Sequence, residues 1–275
     1  MGNPKNLLKS LVFRFTVYQY MIFFLGALCL ASAFFYGFGA SSLIPVAIAV
    51  ITTTSLDLII EYLKSEKNQI PNLIFFLKNF SPQSALISGL FIGGLLTQGL
   101  SWHIYVLAGA IAILSKHLIR FRQKHIFNPA NLGILLVSVV FGVPHTWWIS
   151  SPQILAPLFG IFIIWKLRRF DLAISFLISY FLCSATIELL RGSDFLEIYN
   201  VILNSGVVYF FSMFMLIEPK TQPSTRKQRV FYGMLVAALF IAFGFYVPKH
   251  DLPLALAVGN LFVPALSMKS RLLRN

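Results

Sequence analysis

Charge is what this sequence has least of. Only 9 of its 275 residues are acidic and all charged side chains together make up 11% of the chain, against about 25% in an ordinary soluble domain. That scarcity excludes a soluble globular domain, and the accompanying low polarity excludes a disordered one. Cysteine is as sparse. Cys29 and Cys183 both lie inside apolar runs, and no Cys-x-x-Cys pair exists to build a disulfide framework or a thiolate metal site. Both thiols are expected to be buried packing groups. A Gly-rich phosphate loop, an H-E-x-x-H string and a Ser-His-Asp set are also missing, so hydrolytic chemistry has no support.

What the chain does have is apolar surface: 57% hydrophobic residues, with 28 Phe, and a mean hydropathy of +0.79. This composition predicts an all-α polytopic membrane protein. A crossing helix needs about 20 residues, and parsing on that length yields ten apolar segments, at 16-37, 41-61, 83-98, 101-119, 130-144, 152-166, 171-190, 196-216, 229-247 and 252-268. The chain 1-275 reads as one transmembrane domain with approximate halves 16-144 and 152-268. The short basic stretch Met1 to Arg14, with no small-residue cleavage site, reads as the lead into an uncleaved first helix.

Twenty-two Lys and Arg give a net charge of +13, which in a soluble protein would suggest nucleic acid. Position gives another reading. With the N-terminus inside and ten spans, twenty of the basic residues fall in inner loops and only Arg191 and Lys249 in outer ones, the bias that cytoplasmic loops carry. No nucleic-acid partner is expected. Both termini are expected in the cytoplasm of a bacterium, with the chain in the inner membrane. Trp102, Trp147 and Trp148 fall at outer helix ends and Trp165 near an inner one, as an interfacial aromatic belt expects. Ten spans split into five and five, and an odd number per half requires inverted repeats, which often bind ligand at short or interrupted helices in corresponding positions. The third segment is Gly-rich and the eighth contains Asn204-Ser205-Gly206; the fifth opens on Asn128-Pro129 and the tenth holds Gly259-Asn260 and Pro264.

Two inner-face turns carry the polar residues best placed for chemistry. In the first, Asn128 is set to cap the helix that Pro129 begins. The functional reading adds that Asn128 and Asn131 present carboxamides able to pair with a heterocycle's amide edge, with Phe127 as an apolar face. In the second, Glu218 sits at the hydrocarbon edge, where a carboxylate needs a partner such as Lys220 or Arg226. The two turns could form walls of one site. Asp57 and Glu61, four residues apart on one helical face, are candidates for a proton or cation step, although Glu61 could instead pair with Lys64. His103, His145 and His250 map to the outer side, and no metal site is expected from them. His117 and His125, in the basic inner loop, are expected to contact lipid.

Ser84-Ala-Leu-Ile-Ser-Gly89 (with Ser88), Lys116, Ile126-Phe-Asn-Pro-Ala130 and Met215-Leu-Ile-Glu-Pro-Lys-Thr221, in that order, resemble the Rnf-D/Nqr-B-like family, the membrane components of the Rnf ferredoxin:NAD oxidoreductase and of the sodium-pumping NADH:quinone oxidoreductase. The resemblance covers roughly residues 40 to 270. It implies an inverted-repeat helical fold and a flavoprotein that relays electrons within a membrane complex. It also implies a cofactor site at Ser84, Ser88, Lys116, Phe127, Asn128, Pro129, Asn131, Glu218, Lys220 and Thr221. Family members attach FMN to Thr in a Ser-Gly-Ala-Thr motif; no such string occurs here, and the nearest, Ser184-Ala-Thr186, lacks the Gly and lies within a span. Thr146, Ser150 and Ser151 read as ordinary turn residues. The expected cofactor is therefore a noncovalent flavin, riboflavin or FMN, without covalent FMN. The expected partners are membrane lipid and a soluble or membrane-bound electron-transfer protein, because the chain has no nucleotide fold or iron-sulfur ligands of its own. The alternative from another class is a solute or ion transporter or channel of inverted-repeat architecture.

Overall fold

A computed structural model describes residues 15–67 and 73–272. Its helices are α1 (Val17–Phe35), α2 (Leu43–Lys67), α3 (Leu73–Asn79), α4 (Gln83–Leu95), α5 (Trp102–Leu118), α6 (Pro129–Phe141), α7 (Leu155–Leu167), α8 (Phe170–Arg191), α9 (Phe195–Leu203), α10 (Gly206–Phe210), α11 (Arg226–Tyr246) and α12 (Asp251–Leu272). A two-stranded ladder, β1 (Arg120–Phe121) with β2 (Lys124–His125), joins α5 to α6. Lys5, Lys9, Arg14 and Arg274 lie outside the described residues, as do the side chains of Lys67, Lys269 and Arg271.

The all-α membrane reading holds. Among the described residues, four helices are long and apolar enough to cross a membrane by length and composition, and six shorter apolar helices accompany them. Each of the ten expected segments overlaps one of these helices. The four long enough for a full crossing are α1, α2, α8 and α11. By contrast α4, α6 and α7 have 13 residues each, about 20 Å at 1.5 Å per residue, well short of the ~30 Å hydrocarbon core. The eighth segment is interrupted. α9 stops at Leu203, and α10 restarts at Gly206 and runs on as a π-helical turn, Phe211–Met215. Asn204 and Ser205 favour this break because their short polar side chains compete with the helical backbone bonds.

α1 packs on α4 and α7, α2 on α4 and α5, and α5 on α6; α7 packs on α10, α8 on α11, and α11 on α12. α6 touches both α4 and α12, so its start lies where the two halves meet. Small residues make a close crossing of α4 on α2. A Cβ at Gly89 or Gly93 of α4 would run into the backbone of Val50 or Val46 in α2, so this Gly-x-x-x-Gly face lets the two backbones touch.

Contacts between elements respect the expected sides. Lys64 meets His117, Lys116 meets Asp57, and Arg229 meets Asp171, all toward the expected inner face. Thr97 bonds Pro144, the His145 and His250 rings adjoin, and Arg191 lies over Phe245, all toward the outer one.

Two packing expectations need correction. Trp147 and Trp148 are buried and not part of a belt; the Trp148 indole N–H donates to the Gly93 carbonyl at 3.0 Å, which anchors the segment after α6 into the core. Trp102 and Trp165 are exposed as expected. Cys29 is buried, but Cys183 is exposed on α8, beside the exposed Leu182.

Candidate functional site

The loop after α5 is turned inward by a tight hairpin. Arg122 and Gln123 take left-handed backbone angles, φ 47° and 70°, the geometry of a two-residue type I′ turn, and Arg120 and Phe121 pair with His125 and Lys124. The reversal carries His125 into the protein, where it is buried and its Nε2 lies 2.7 Å from Glu218 Oε1. The expected lipid contact of His125 and the expected Lys220 or Arg226 partner of Glu218 are thus both corrected. Lys220 is exposed, whereas an imidazole delivered by the hairpin needs no long stem to reach the carboxylate. Buried Thr221 adds a hydroxyl contact to Glu218 Oε2 at 3.3 Å.

Asn128 caps α6 as expected, its Oδ1 accepting from the Asn131 N–H at 3.1 Å with Pro129 at the first helical position. Both carboxamides also work within the fold. Asn131 Nδ2 donates to the Pro253 carbonyl at 2.8 Å, and Asn128 Nδ2 makes a long 3.4 Å contact with the Met215 carbonyl. Asn260 of α12 completes the cluster. In the amide orientation that satisfies its neighbours, its nitrogen donates to the Thr221 carbonyl and to Tyr232 Oη, and its oxygen accepts from the Asn128 N–H. Tyr232 lies six residues into α11, about 9 Å from that helix's inner end at 1.5 Å per residue. The two turns therefore meet inside the protein, below its rim.

Arg229 fixes the second turn from behind. Its guanidinium pairs with Asp171 of α8, Nη2 to Oδ2 at 2.6 Å, and donates to the Ser224 carbonyl at 2.7 Å.

A slot opens between α1, α4, the start of α6 and the second turn. It is narrow, with a cavity volume of about 60 Å³, and is lined by Tyr18, Met21, Ser84, Ile87, Ser88, Phe91, Asn128, Pro129, Leu167, Phe214, Glu218 and Pro219, among others. Ser84, Ser88, Asn128, Pro129 and Glu218 of the expected set thus line one cavity. Phe127 is half-buried and not among the lining residues; the aromatic walls come from Tyr18, Phe91 and Phe214. Asn131 and Thr221 stand behind the wall.

A wider vestibule adjoins the slot and shares Tyr18 and Ser84 with it; Asp57, Glu61, Lys64, Lys116 and Lys220 line it. Here Asp57 is buried and pairs with Lys116 Nζ at 2.8 Å and with His117 Nε2 at 2.7 Å. Lys64 Nζ lies 2.6 Å from His117 Nδ1. An ammonium can only donate, so Nδ1 accepts and Nε2 carries the proton that Asp57 receives. The expected Glu61–Lys64 pair and the expected lipid contact of His117 give way to this chain, because the α5 side chains reach across to α2. Asp57, Glu61 and His117 each bring a donor atom within 4.8 Å of the others. On the outer side His145 and His250 adjoin, with ring centroids 6.2 Å apart, while His103 packs against Trp102.

Nothing in the sequence pointed to Tyr18, to His125 as the Glu218 partner, or to Tyr232 and the other partners of Asn260. The Asn260 position did carry a signal, a polar amide in the middle of an apolar helix.

Short and interrupted helices around an inward-facing polar cluster define a helical membrane protein with a narrow, mainly apolar slot beside that cluster. Residues 13–158 match the model of the NQR2, RnfD, RnfE family, and the chain belongs to that family. It is similar to proteins named as the D component of the ion-translocating oxidoreductase complex: 31% identical over 121 residues to that of Yersinia enterocolitica, covering 44% of this chain and 32% of the relative. The Aeromonas hydrophila protein is 30% identical over 128 residues, 46% of this chain and 34% of the relative. These two matches span about a third of the relatives' own length. The Klebsiella pneumoniae protein aligns at 22% identity over 316 residues, 85% of this chain and 87% of the relative.

Proposed function

We propose that this chain is a membrane component of an ion-translocating oxidoreductase complex in a bacterial inner membrane, and that it holds a flavin, riboflavin or FMN, noncovalently in the slot at the start of α6. The observation that carries the reading is the slot itself. Aromatic walls from Tyr18, Phe91 and Phe214 face polar groups from Ser84, Ser88, Asn128 and Glu218, and an apolar cleft with a few convergent polar groups is the usual form of a cofactor site. The Asn128 amide has donor capacity left, since its contact with Met215 is long. A flavin bound there would supply the one- and two-electron chemistry that no side chain of this protein offers.

The protein's own residues supply position and charge. Asn260 and Asn131 hold the α6 start, His125 holds Glu218, and the apolar wall keeps water away. Glu218 can move a proton through His125 Nε2, and Asp57 can do so through His117 toward Lys64 at the surface. Lys116 and Lys220 edge the vestibule. The basic inner surface of Arg122, Lys124, Arg226 and Lys227 suits an acidic electron-transfer partner. The mirrored helix pairings of the two halves, with a short helix in the third segment and an interrupted one in the eighth, support two inverted five-helix repeats. A transporter is the second reading, favoured by Asp57 and Glu61 lining a vestibule open to the inner side.

The visible spectrum of the purified protein before and after acid precipitation tests this reading. A yellow chromophore released by acid is expected. Colour retained by the polypeptide means covalent flavin, and a flavin-free protein favours the transporter.

A further inference from the structure

A second inner-face cavity, unrelated to the slot, lies where α7, α8 and α11 meet. It is lined by Trp165, Lys166, Arg168, Phe170, Asp171, Arg226 and Arg229 and has a volume of about 450 Å³. Its charge does not balance. Arg229 consumes Asp171, the one acid in the wall, and neither Arg168 nor Arg226 has an acidic partner among the described residues. Lys166 is engaged elsewhere, its ammonium lying 4.5 Å from the centre of the Tyr20 ring. Arg169, next in the chain, adds to the surplus: its Nε is buried with no hydrogen-bond partner, and burial together with nearby Arg229 pushes its pKa down.

The backbone points the same way. Arg168 ends α7 in the left-handed region, φ 55°, a conformation that favours glycine and strains other residues. An arginine there gives up helix-end comfort and places a guanidinium at the cavity. The rim carries aromatic rings: Trp165 is 48% and Phe170 39% exposed, and an indole is the kind of amphipathic ring that sits at headgroup level.

We propose that this cavity is a binding site for the phosphate headgroup of an acidic phospholipid of the inner leaflet, with Arg168 and Arg226 as its principal cationic ligands and Trp165 and Phe170 flanking the first acyl carbons. Basic pockets between membrane helices on the cytoplasmic side take such headgroups, and guanidinium groups match phosphate oxygens in bidentate fashion. A general positive-inside bias requires only basic loops; here the exposed Arg168 and Arg226, neither with an acidic partner among the described residues, open on one cavity whose only acid Arg229 already pairs.

The test is native mass spectrometry of the full chain from detergent, together with thermal unfolding in nanodiscs of phosphatidylcholine with or without phosphatidylglycerol. Retained acidic-lipid adducts and a higher midpoint in phosphatidylglycerol are expected. Arg226→Gln should cut adduct retention several-fold. Arg168→Gly should do the same while easing the helix end, so its loss of lipid cannot be assigned to misfolding. Adducts equally abundant in wild type and both variants, or equal midpoints in the two lipids, would overturn the proposal. Inorganic phosphate at millimolar concentration raising the midpoint as much as phosphatidylglycerol would also overturn it, in favour of a free-anion site. Purification with a bound acidic protein in place of lipid, lost in the same variants, would replace the lipid by a docking partner.

Discussion

His125 and Glu218 are separated by 93 residues in the chain and by 2.7 Å between Nε2 and Oε1. Their contact joins the hairpin turn before α6 to the Pro-rich turn before α11, and so gives the slot its inner wall. His125→Leu leaves a carboxylate at 21% side-chain exposure without its partner. A buried carboxylate so stranded costs about 3–5 kcal/mol; partial solvation at this site brings the expected loss to about 1–2 kcal/mol. Thermal unfolding in detergent reads the loss, and flavin occupancy should fall with it.

The two asparagines should separate in their effects. Asn131→Leu removes the bond to the Pro253 carbonyl and should cost about 1–3 kcal/mol of stability, the penalty of an unsatisfied buried acceptor. Asn128→Ala removes a helix cap, worth about 0.5–2 kcal/mol, and one polar group of the slot wall, so it should lower flavin content more than its stability loss explains. Flavin-to-protein ratios measured well below the unfolding temperature distinguish the two effects.

Asp57→Asn should be more damaging than the removal of both charges of its pair with Lys116. It strands Lys116, whose side chain is 11% exposed, and breaking such a buried pair costs about 3–5 kcal/mol. Asp57→Asn with Lys116→Met should recover most of that loss. A double-mutant cycle on unfolding midpoints measures the coupling, and additive effects would contradict the pairing.

Gly133→Ala tests the close crossing of α6 on α5. The added Cβ would collide with the Ala108 carbonyl oxygen, a backbone atom that cannot swing aside. Overpacking of this kind costs about 1–3 kcal/mol, and reduced expression of folded protein with a lower unfolding midpoint is expected.

The outer His145 should make stability depend on pH. Burial first, and the adjoining His250 second, hold its pKa down to about 4 from the usual 6.5. The unfolded chain therefore binds more protons between those values, and stability present above the unfolded pKa is lost as pH falls through the folded one. A drop on the order of 2 kcal/mol between pH 6.5 and 4 is expected, and His145→Phe should flatten that slope. Unfolding midpoints across this pH range provide the check.

The membrane class, the ten apolar helices and the Asn128 cap were all legible in the sequence, because hydropathy over a 20-residue window and the Asn-Pro pair are local signals. The partners of the charged groups were not. Lysine and arginine lie nearest Glu218 along the chain, yet the hairpin at Arg122 and Gln123 brings His125 to it from far away. Asp57 and Glu61 share a helical face, but α5 supplies Lys116 and His117 across the helix crossing. The break at Asn204 and Ser205 was visible as poor helix formers inside an apolar run; only packing could show that the chain stops there. Asn260 illustrates the same limit, since a lone polar residue in an apolar helix announces a partner without naming it.

Flavin binding to a variant with a filled slot tests the central claim most directly. Ser84 lies on the boundary between slot and vestibule and is half-buried, so Ser84→Leu should obstruct the cavity with little effect on the fold. Flavin fluorescence quenching on titration with purified protein should show saturable binding to wild type and at least a tenfold weaker affinity in the variant. Equal affinity in the two proteins, with unfolding midpoints unchanged, would contradict a flavin in this slot.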